Sequence, residues 1–188
     1  AQQILIEQDG NVQILLETES ITTIEIDGAN RKWIGTQNSG AFLISEDGTT
    51  QVLHFNEENS PLPSNEIKDI EINGALGEVF FGTSKGVFSY RGSATAGGEF
   101  FSEVYAYPNP VRPEFDGTIA IKGLLRDSDV KITDVSGNLV FETTSYGGQA
   151  LWNGRTFDDQ KVSSGIYLVF ASSEDGSLAV VTKIAIIN

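Results

Sequence analysis

The chain has 188 residues, enough for one large or two small domains, each with a modest core. Twenty-six acidic against twelve basic side chains leave a formal charge of -14, which excludes the clustered cations that binding to nucleic acid or polybasic anchoring at a membrane needs. With no cysteine and one histidine, disulfide frameworks, cysteine nucleophiles, Cys/His zinc sites and two-histidine metal sites are excluded too, and no apolar run reaches the length of a membrane-spanning helix.

Apolar and polar residues alternate over short runs broken by glycine-containing turns, the pattern of an all-β chain. The first half predicts strands at Gln2–Glu7, Asn11–Glu17, Ile21–Ile26, Lys32–Thr36, Ala41–Glu46, Gln51–Asn56, Ile67–Ile72, Glu78–Thr83 and Val87–Arg91. The pairs Asp9-Gly10, Asp27-Gly28 and Asp47-Gly48 supply the positive φ that tight hairpins require. Gly92–Gly98 has no periodicity and nothing to bury, so it is expected to be a flexible linker. Beyond it, seven strands are expected near Val104–Tyr107, Thr118–Lys122, Val130–Asp134, Leu139–Thr143, Gln149–Trp152, Gly165–Ala171 and Leu178–Ile187, a pattern that suits an immunoglobulin-like sandwich without its disulfide. The acidic excess is unequal: fifteen acids face five bases through Phe100, and eleven face seven after it.

Internal repetition organises the first half. The run Ile21-Thr22-Thr23-Ile24-Glu25-Ile26-Asp27-Gly28, followed by Trp33-Ile34-Gly35-Thr36, returns as Ile67-Lys68-Asp69-Ile70-Glu71-Ile72-Asn73-Gly74, followed by Phe80-Phe81-Gly82-Thr83. The isoleucines Ile21 and Ile67 are 46 residues apart and the aromatics Trp33 and Phe80 are 47 apart. A period of this size with four short strands per unit is that of propeller blades. The strands then group as two of one blade, four of the next and three of a third, whose fourth strand is expected from sequence upstream of Ala1. The predicted architecture is all-β: the last blades of a β-propeller over residues 1–91, a linker over 92–103, and a seven-stranded immunoglobulin-like β-sandwich over 104–188. Trp33 is read as a packing residue between blades, because its counterpart is Phe80.

The repeat resembles the two-component-regulator propeller repeat, common in Bacteroidetes, in its Asp27-Gly28 turn, its Trp33-Ile34-Gly35-Thr36 strand and Gly40 ahead of Ala41-Phe42-Leu43. Tyr107-Pro108-Asn109-Pro110 opens the second domain as a stiff, strand-incompatible segment. It also resembles the opening of the C-terminal sorting domains of the type IX secretion system. Val130–Gly137 with Leu139-Val140, then Ser164-Gly165-Ile166-Tyr167-Leu168, then Lys183-Ile184-Ala185-Ile186 follow in the expected order. The motif residues singled out are Tyr107, Pro108, Asn109, Pro110, Gly137, Gly165, Tyr167 and Lys183. Trp152-Asn153-Gly154-Arg155 with Val162–Tyr167 is also similar to the immunoglobulin-like domain of flagellar-hook capping proteins, and the chain ends Ile186-Ile187-Asn188 without a basic residue.

Such a propeller joined to such a sandwich resembles the surface component of the type IX attachment complex. The resemblance implies a non-enzymatic protein on the outer face of the outer membrane, exported by a signal outside this sequence, with a sortase and outer-membrane barrel proteins as partners. It also implies a role in scaffolding or presenting anionic lipopolysaccharide to the sortase. Contacts with such an anion would fall to Arg112, Lys122, Arg126, Lys131 or Arg155. The rival readings are a secreted propeller-containing cargo protein with a sorting tail, and the extracellular sensor of a hybrid two-component regulator. The sequence predicts no catalytic residue, cofactor or metal. His54 lies within an apolar strand, the pairs Asp158-Asp159, Glu57-Glu58 and Glu174-Asp175 sit in turns, and neither Asp127-Ser128-Asp129 nor Asp158-Asp159 has a calcium-loop spacing.

Overall fold

A computed structural model describes residues 5–8, 11–14 and 16–187. The expected Asp9-Gly10 turn, the start of the first expected strand and Asn188 lie outside the described residues. Among those residues the protein is all-β, with no helix and so none able to cross a membrane, and it divides into two units, Ala1–Gly92 and Ser93–Asn188.

The first unit contains β1 (Leu5–Gln8), β2 (Asn11–Ile14), β3 (Ile21–Ile26), β4 (Lys32–Thr36), β5 (Ala41–Ile44), β6 (Gln51–Phe55), β7 (Ile67–Asn73), β8 (Glu78–Thr83) and β9 (Gly86–Arg91). They form three antiparallel sheets, ordered β1-β2, β3-β4-β5-β6 and β7-β8-β9, the two, four and three strands expected from the repeat. The repeat extends to the register. Ile21 pairs with Thr36 and Thr23 with Gly35 across a bulge, and Ile67 pairs with Thr83 and Asp69 with Gly82 across the same bulge.

Alternation along the strands then decides what is buried. Trp33, Ala41 and Leu43 face Ile67, Ile70, Val79 and Phe81 in one core, with Leu62 from the inserted Asn59–Asn65 segment added to it. Trp33 meets Phe81 edge-on at 5.2 Å and stacks on Phe55 at 5.9 Å. Gly35 is required by close approach, since a Cβ there would lie 2.6 Å from Cγ2 of Ile67. Trp33 is thus the packing residue that the sequence predicts. Phe80, its counterpart, stays 36% exposed on the same face as the exposed Val87, which no sheet among the described residues covers. The other face of β4 and β5 buries Ile34, Phe42 and Ile44. At the hairpin before β4, Asp27 accepts hydrogen bonds from the backbone amides of Ala29 and Arg31 and forms a buried ion pair with the Arg31 guanidinium at 2.7 Å.

The second unit is a β-sandwich of seven strands: β10 (Tyr105–Tyr107), β11 (Ile119–Lys122), β12 (Asp129–Thr133), β13 (Leu139–Thr144), β14 (Gln149–Trp152), β15 (Gly165–Ser172) and β16 (Ala179–Ile186). One sheet is ordered β10-β11-β14 and the other β13-β12-β15-β16. Ile119, Ile121 and Trp152 from the first meet Ile132, Val169 and Ile184 from the second in one core. The Trp152 indole N–H is satisfied by the Arg155 carbonyl at 2.8 Å.

The segment predicted to be a flexible linker is ordered from Ser93 onward. Ala94 and Thr95 are buried, the Thr95 amide donates to the Tyr146 carbonyl, and the Gly148 amide donates to the Thr95 carbonyl at 2.9 Å. The Gln149 side chain donates to the Ser93 carbonyl at 2.6 Å. The close backbone packing is admitted by glycine on the opposite side: a Cβ on Gly148 would lie 2.3 Å from the Ala96 carbonyl oxygen.

Candidate functional site at the end of the sandwich

The Tyr107–Pro110 motif leaves β10 and crosses to the opposite sheet. Both of its X-Pro bonds, Tyr107–Pro108 and Asn109–Pro110, are cis. Asn109 then docks on the outer edge of β16: its Nδ2 donates to the Lys183 carbonyl at 2.9 Å, and its Oδ1 accepts from the Ala185 amide at 3.0 Å. The backbone continues the ladder, with the Val111 amide donating to Ala185 at 2.8 Å and the Ile187 amide donating to Val111 at 2.9 Å. Val111 itself is buried in the sandwich core. A carboxamide has the donor and acceptor of a peptide group, so Asn109 serves as one more residue of strand and closes an edge that would otherwise invite pairing.

The other motif residues have separate structural places. Lys183 takes part through its carbonyl, while its side chain is exposed. Tyr167 is buried edge-on against Trp152 at 5.7 Å, and its hydroxyl donates to the Ser163 carbonyl at 2.9 Å, as in the tyrosine corner of β-sandwiches. Burial, and then the Asp134 carboxylate, raise its pKa above the ordinary tyrosine value. Gly137 adopts φ +87° in the β12–β13 hairpin, where Asp134 accepts from the amides of Ser136 and Asn138 and from the Asn138 side chain. Those bonds, the Asn138 side chain first, lower the Asp134 pKa. At Gly165 the backbone does not need glycine, since a Cβ there would make only an ordinary contact with Tyr167. Tyr107 is exposed.

Beside the motif, at the same end of the sandwich, lies a hollow of about 130 Å³. Its apolar lining includes Val111, Phe115, Val162 and Ile186; its charged lining is Arg112, Arg155, Lys161 and Asp116. Two of the five cations that the sequence offers for an anion are therefore brought together, and Lys161 joins them. The signal for Lys161 was its position on the far side of the Asp158-Asp159 turn from Arg155: the two pair across an antiparallel bridge. Of the others, Arg126 pairs with Asp127 at 3.2 Å, and Lys122 and Lys131 lie on β11 and β12.

The remaining polar candidates serve the fold. His54 stacks on Phe42 at 4.0 Å, with Nε2 2.7 Å from the Ser39 carbonyl. Asp47 and Asp175 close two turns of the same sequence type, Ser-Glu-Asp-Gly-Thr at 45–49 and Ser-Glu-Asp-Gly-Ser at 173–177. Each accepts hydrogen bonds from the serine before it and from the hydroxyl and amide after it. These bonds, the preceding serine's first, lower both pKa values to about 2.

Residues 105–187 match the secretion system C-terminal sorting domain family. Over its full length the chain is similar to PorZ of Porphyromonas gingivalis, described as an essential bacterial surface component of the type-IX secretion system. The two share 33% identity at a TM-score of 0.67. The alignment takes in 25% of the PorZ chain, so this chain spans about a quarter of that relative's length. Dimeric latent PorU from the same organism aligns at 21% identity and a TM-score of 0.32, over 58% of this chain and 12% of its own. The extracellular domain of a one-component system from B. thetaiotaomicron aligns at 13% identity and a TM-score of 0.33, over 95% of this chain and 27% of its own. No curated protein is matched. A segment of the sorting-domain family within a chain similar throughout to PorZ associates this protein with type IX secretion, as a secreted or cell-surface protein.

Proposed function

We propose that the chain is part of a PorZ-like surface component of the type IX attachment complex, on the outer face of the outer membrane. In this reading it has no catalytic activity and presents an anionic lipopolysaccharide to a sortase, in company with outer-membrane barrel proteins. The observation that carries the reading is the resemblance to PorZ across both units, at 33% identity. The sheets β3–β6 and β7–β9 are then successive blades of a propeller, a reading supported by their shared register and bulge, and the face bearing Phe80 and Val87 takes the next blade. The non-catalytic reading is supported by the structural use of His54 and by acidic residues spent on exposed turns.

The test is affinity capture of the full protein from outer-membrane extracts. Recovery of a sortase and a barrel protein is expected, weakened when residues 101–188 are deleted. Unchanged recovery after that deletion would move the contact to the first unit, and no recovery at all would sink the reading.

A second reading, favoured by the sorting-domain match, is a cargo protein whose sandwich serves only for export. Intact mass of protein taken from the cell surface separates the two. A retained sandwich is expected for the machine component, and a form ending before Tyr105 for cargo.

A further inference from the structure

The hollow beside the Tyr107–Pro110 motif gathers three of the twelve cationic side chains of a chain whose net charge is -14. Arg155 and Lys161 face each other across an antiparallel bridge, an arrangement in which side chains share one face and like charges repel. Arg155 is partly compensated: Nη1 donates to the Asp159 carbonyl at 2.6 Å, and Nε lies 3.6 Å from the Asp159 carboxylate. The side chains of Lys161 and Arg112 make no hydrogen bond or ion pair among the described residues, and Asp116 is the one carboxylate in the lining. Arg112 is held at the rim by the docking of Asn109 and Val111 on β16, so the motif that joins the two sheets also fixes the third cation. The Arg155 contacts close its own turn, whereas Lys161 and Arg112 bring charge to the hollow without a side-chain partner among the described residues.

We infer that the hollow is a binding site for an oxyanion, a phosphate or carboxylate group, whose carrier rests on the apolar wall of Val111, Val162 and Ile186. Guanidinium groups of Arg112 and Arg155 suit paired hydrogen bonds to such a group, and the Lys161 ammonium supplies a point charge. As the seat of the lipopolysaccharide of the proposed function, the site rests on that reading; as an anion site, it rests on the side chains alone.

The test uses the whole chain, isotope-labelled, titrated at fixed ionic strength with inorganic phosphate and, in a second arm, with glucuronate. Saturable shifts at the amides of Gly154, Arg155 and Val162 are expected, and the arm with the tighter curve identifies the group. Lys161→Gln and Arg155→Gln are each expected to weaken binding about tenfold or more, while Lys122→Gln leaves it unchanged. Thermal unfolding gives a second readout. Without phosphate, Lys161→Gln is expected to melt no lower than the parent chain, because it relieves repulsion; with phosphate the parent chain is stabilised and the variant is not. Shifts that are linear in both ligands, or identical in Lys161→Gln and the parent chain, overturn the site. A chain that binds phosphate yet captures no sortase keeps the site and loses the attachment role; the converse result does the opposite.

Discussion

Asn109 pairs with Ala185 through its side chain as a strand residue would through its backbone, while its own Nδ2 caps the Lys183 carbonyl 74 residues further along the chain. Replacement by alanine removes both bonds and uncovers part of the outer edge of β16. A loss of about 1–2 kcal/mol in urea unfolding is expected, together with concentration-dependent self-association through the bared edge. Asn109→Asp keeps the acceptor for Ala185 but loses the donor to Lys183, placing a carboxylate against a carbonyl. It should be at least as destabilised as the alanine variant. Equal stability of all three chains would mean that the docking contributes nothing.

Trp33 and Phe80 hold equivalent places in the repeat but not equivalent environments, at 1% and 36% exposure. Trp33→Ala is expected to cost about 3–5 kcal/mol, since it empties the centre of a filled aromatic core. Phe80→Ala should cost well under half of that in this chain. A similar cost for the two, read from denaturant midpoints of the first unit, would show that the face bearing Phe80 is already covered.

Period-two alternation and Gly-containing turns located every strand among the described residues to within a few residues at either end, because most strands whose side chains are described set at least one face against a core. The repeat was legible for the same reason: Ile21 and Ile67 keep not only their spacing but their bulge. Three features were not legible, each decided by contacts distant in sequence. The small residues of Ser93–Gly97 signal flexibility in composition, yet the segment is fastened to Gly148, whose missing side chain admits the Ala96 carbonyl. Asn109 was read through the stiffness of its flanking prolines, whereas its amide does the joining. Lys161 joins Arg155 only once the hairpin between them closes.

The two Ser-Glu-Asp-Gly turns predict an acid-side pH dependence. The carboxylates of Asp47 and Asp175 have pKa values of about 2 in the folded protein, below the ordinary aspartate range. A depressed folded pKa means that the turns gain stability above the ordinary carboxylate range and lose it as pH falls through about 2. Carboxyl-carbon NMR titration should find both midpoints low. Ser45→Ala and Ser173→Ala should each move the midpoint of the aspartate in their own turn upward, because the serine hydroxyl is the largest single cause of each shift. A midpoint unmoved by loss of its serine would contradict the hydrogen bonds that close these turns.

Gly148 tests whether the segment from Ser93 is fastened or merely adjacent. A methyl group there would sit 2.3 Å from the Ala96 carbonyl oxygen and 3.0 Å from the Thr95 hydroxyl, and the first of these is backbone that can yield only by moving the strand of chain it belongs to. Gly148→Ala should therefore release the segment, break the Thr95–Gly148 hydrogen bond and cost about 1–3 kcal/mol through the forced displacement. In the parent chain the Thr95 amide, bonded to Tyr146, should exchange slowly with solvent, and brief proteolysis should spare Ser93–Thr95. In Gly148→Ala both protections should vanish while the sandwich core, probed at Ile121 and Val169, keeps its own. Rapid exchange at Thr95 in the parent chain would restore the flexible linker that composition alone predicts.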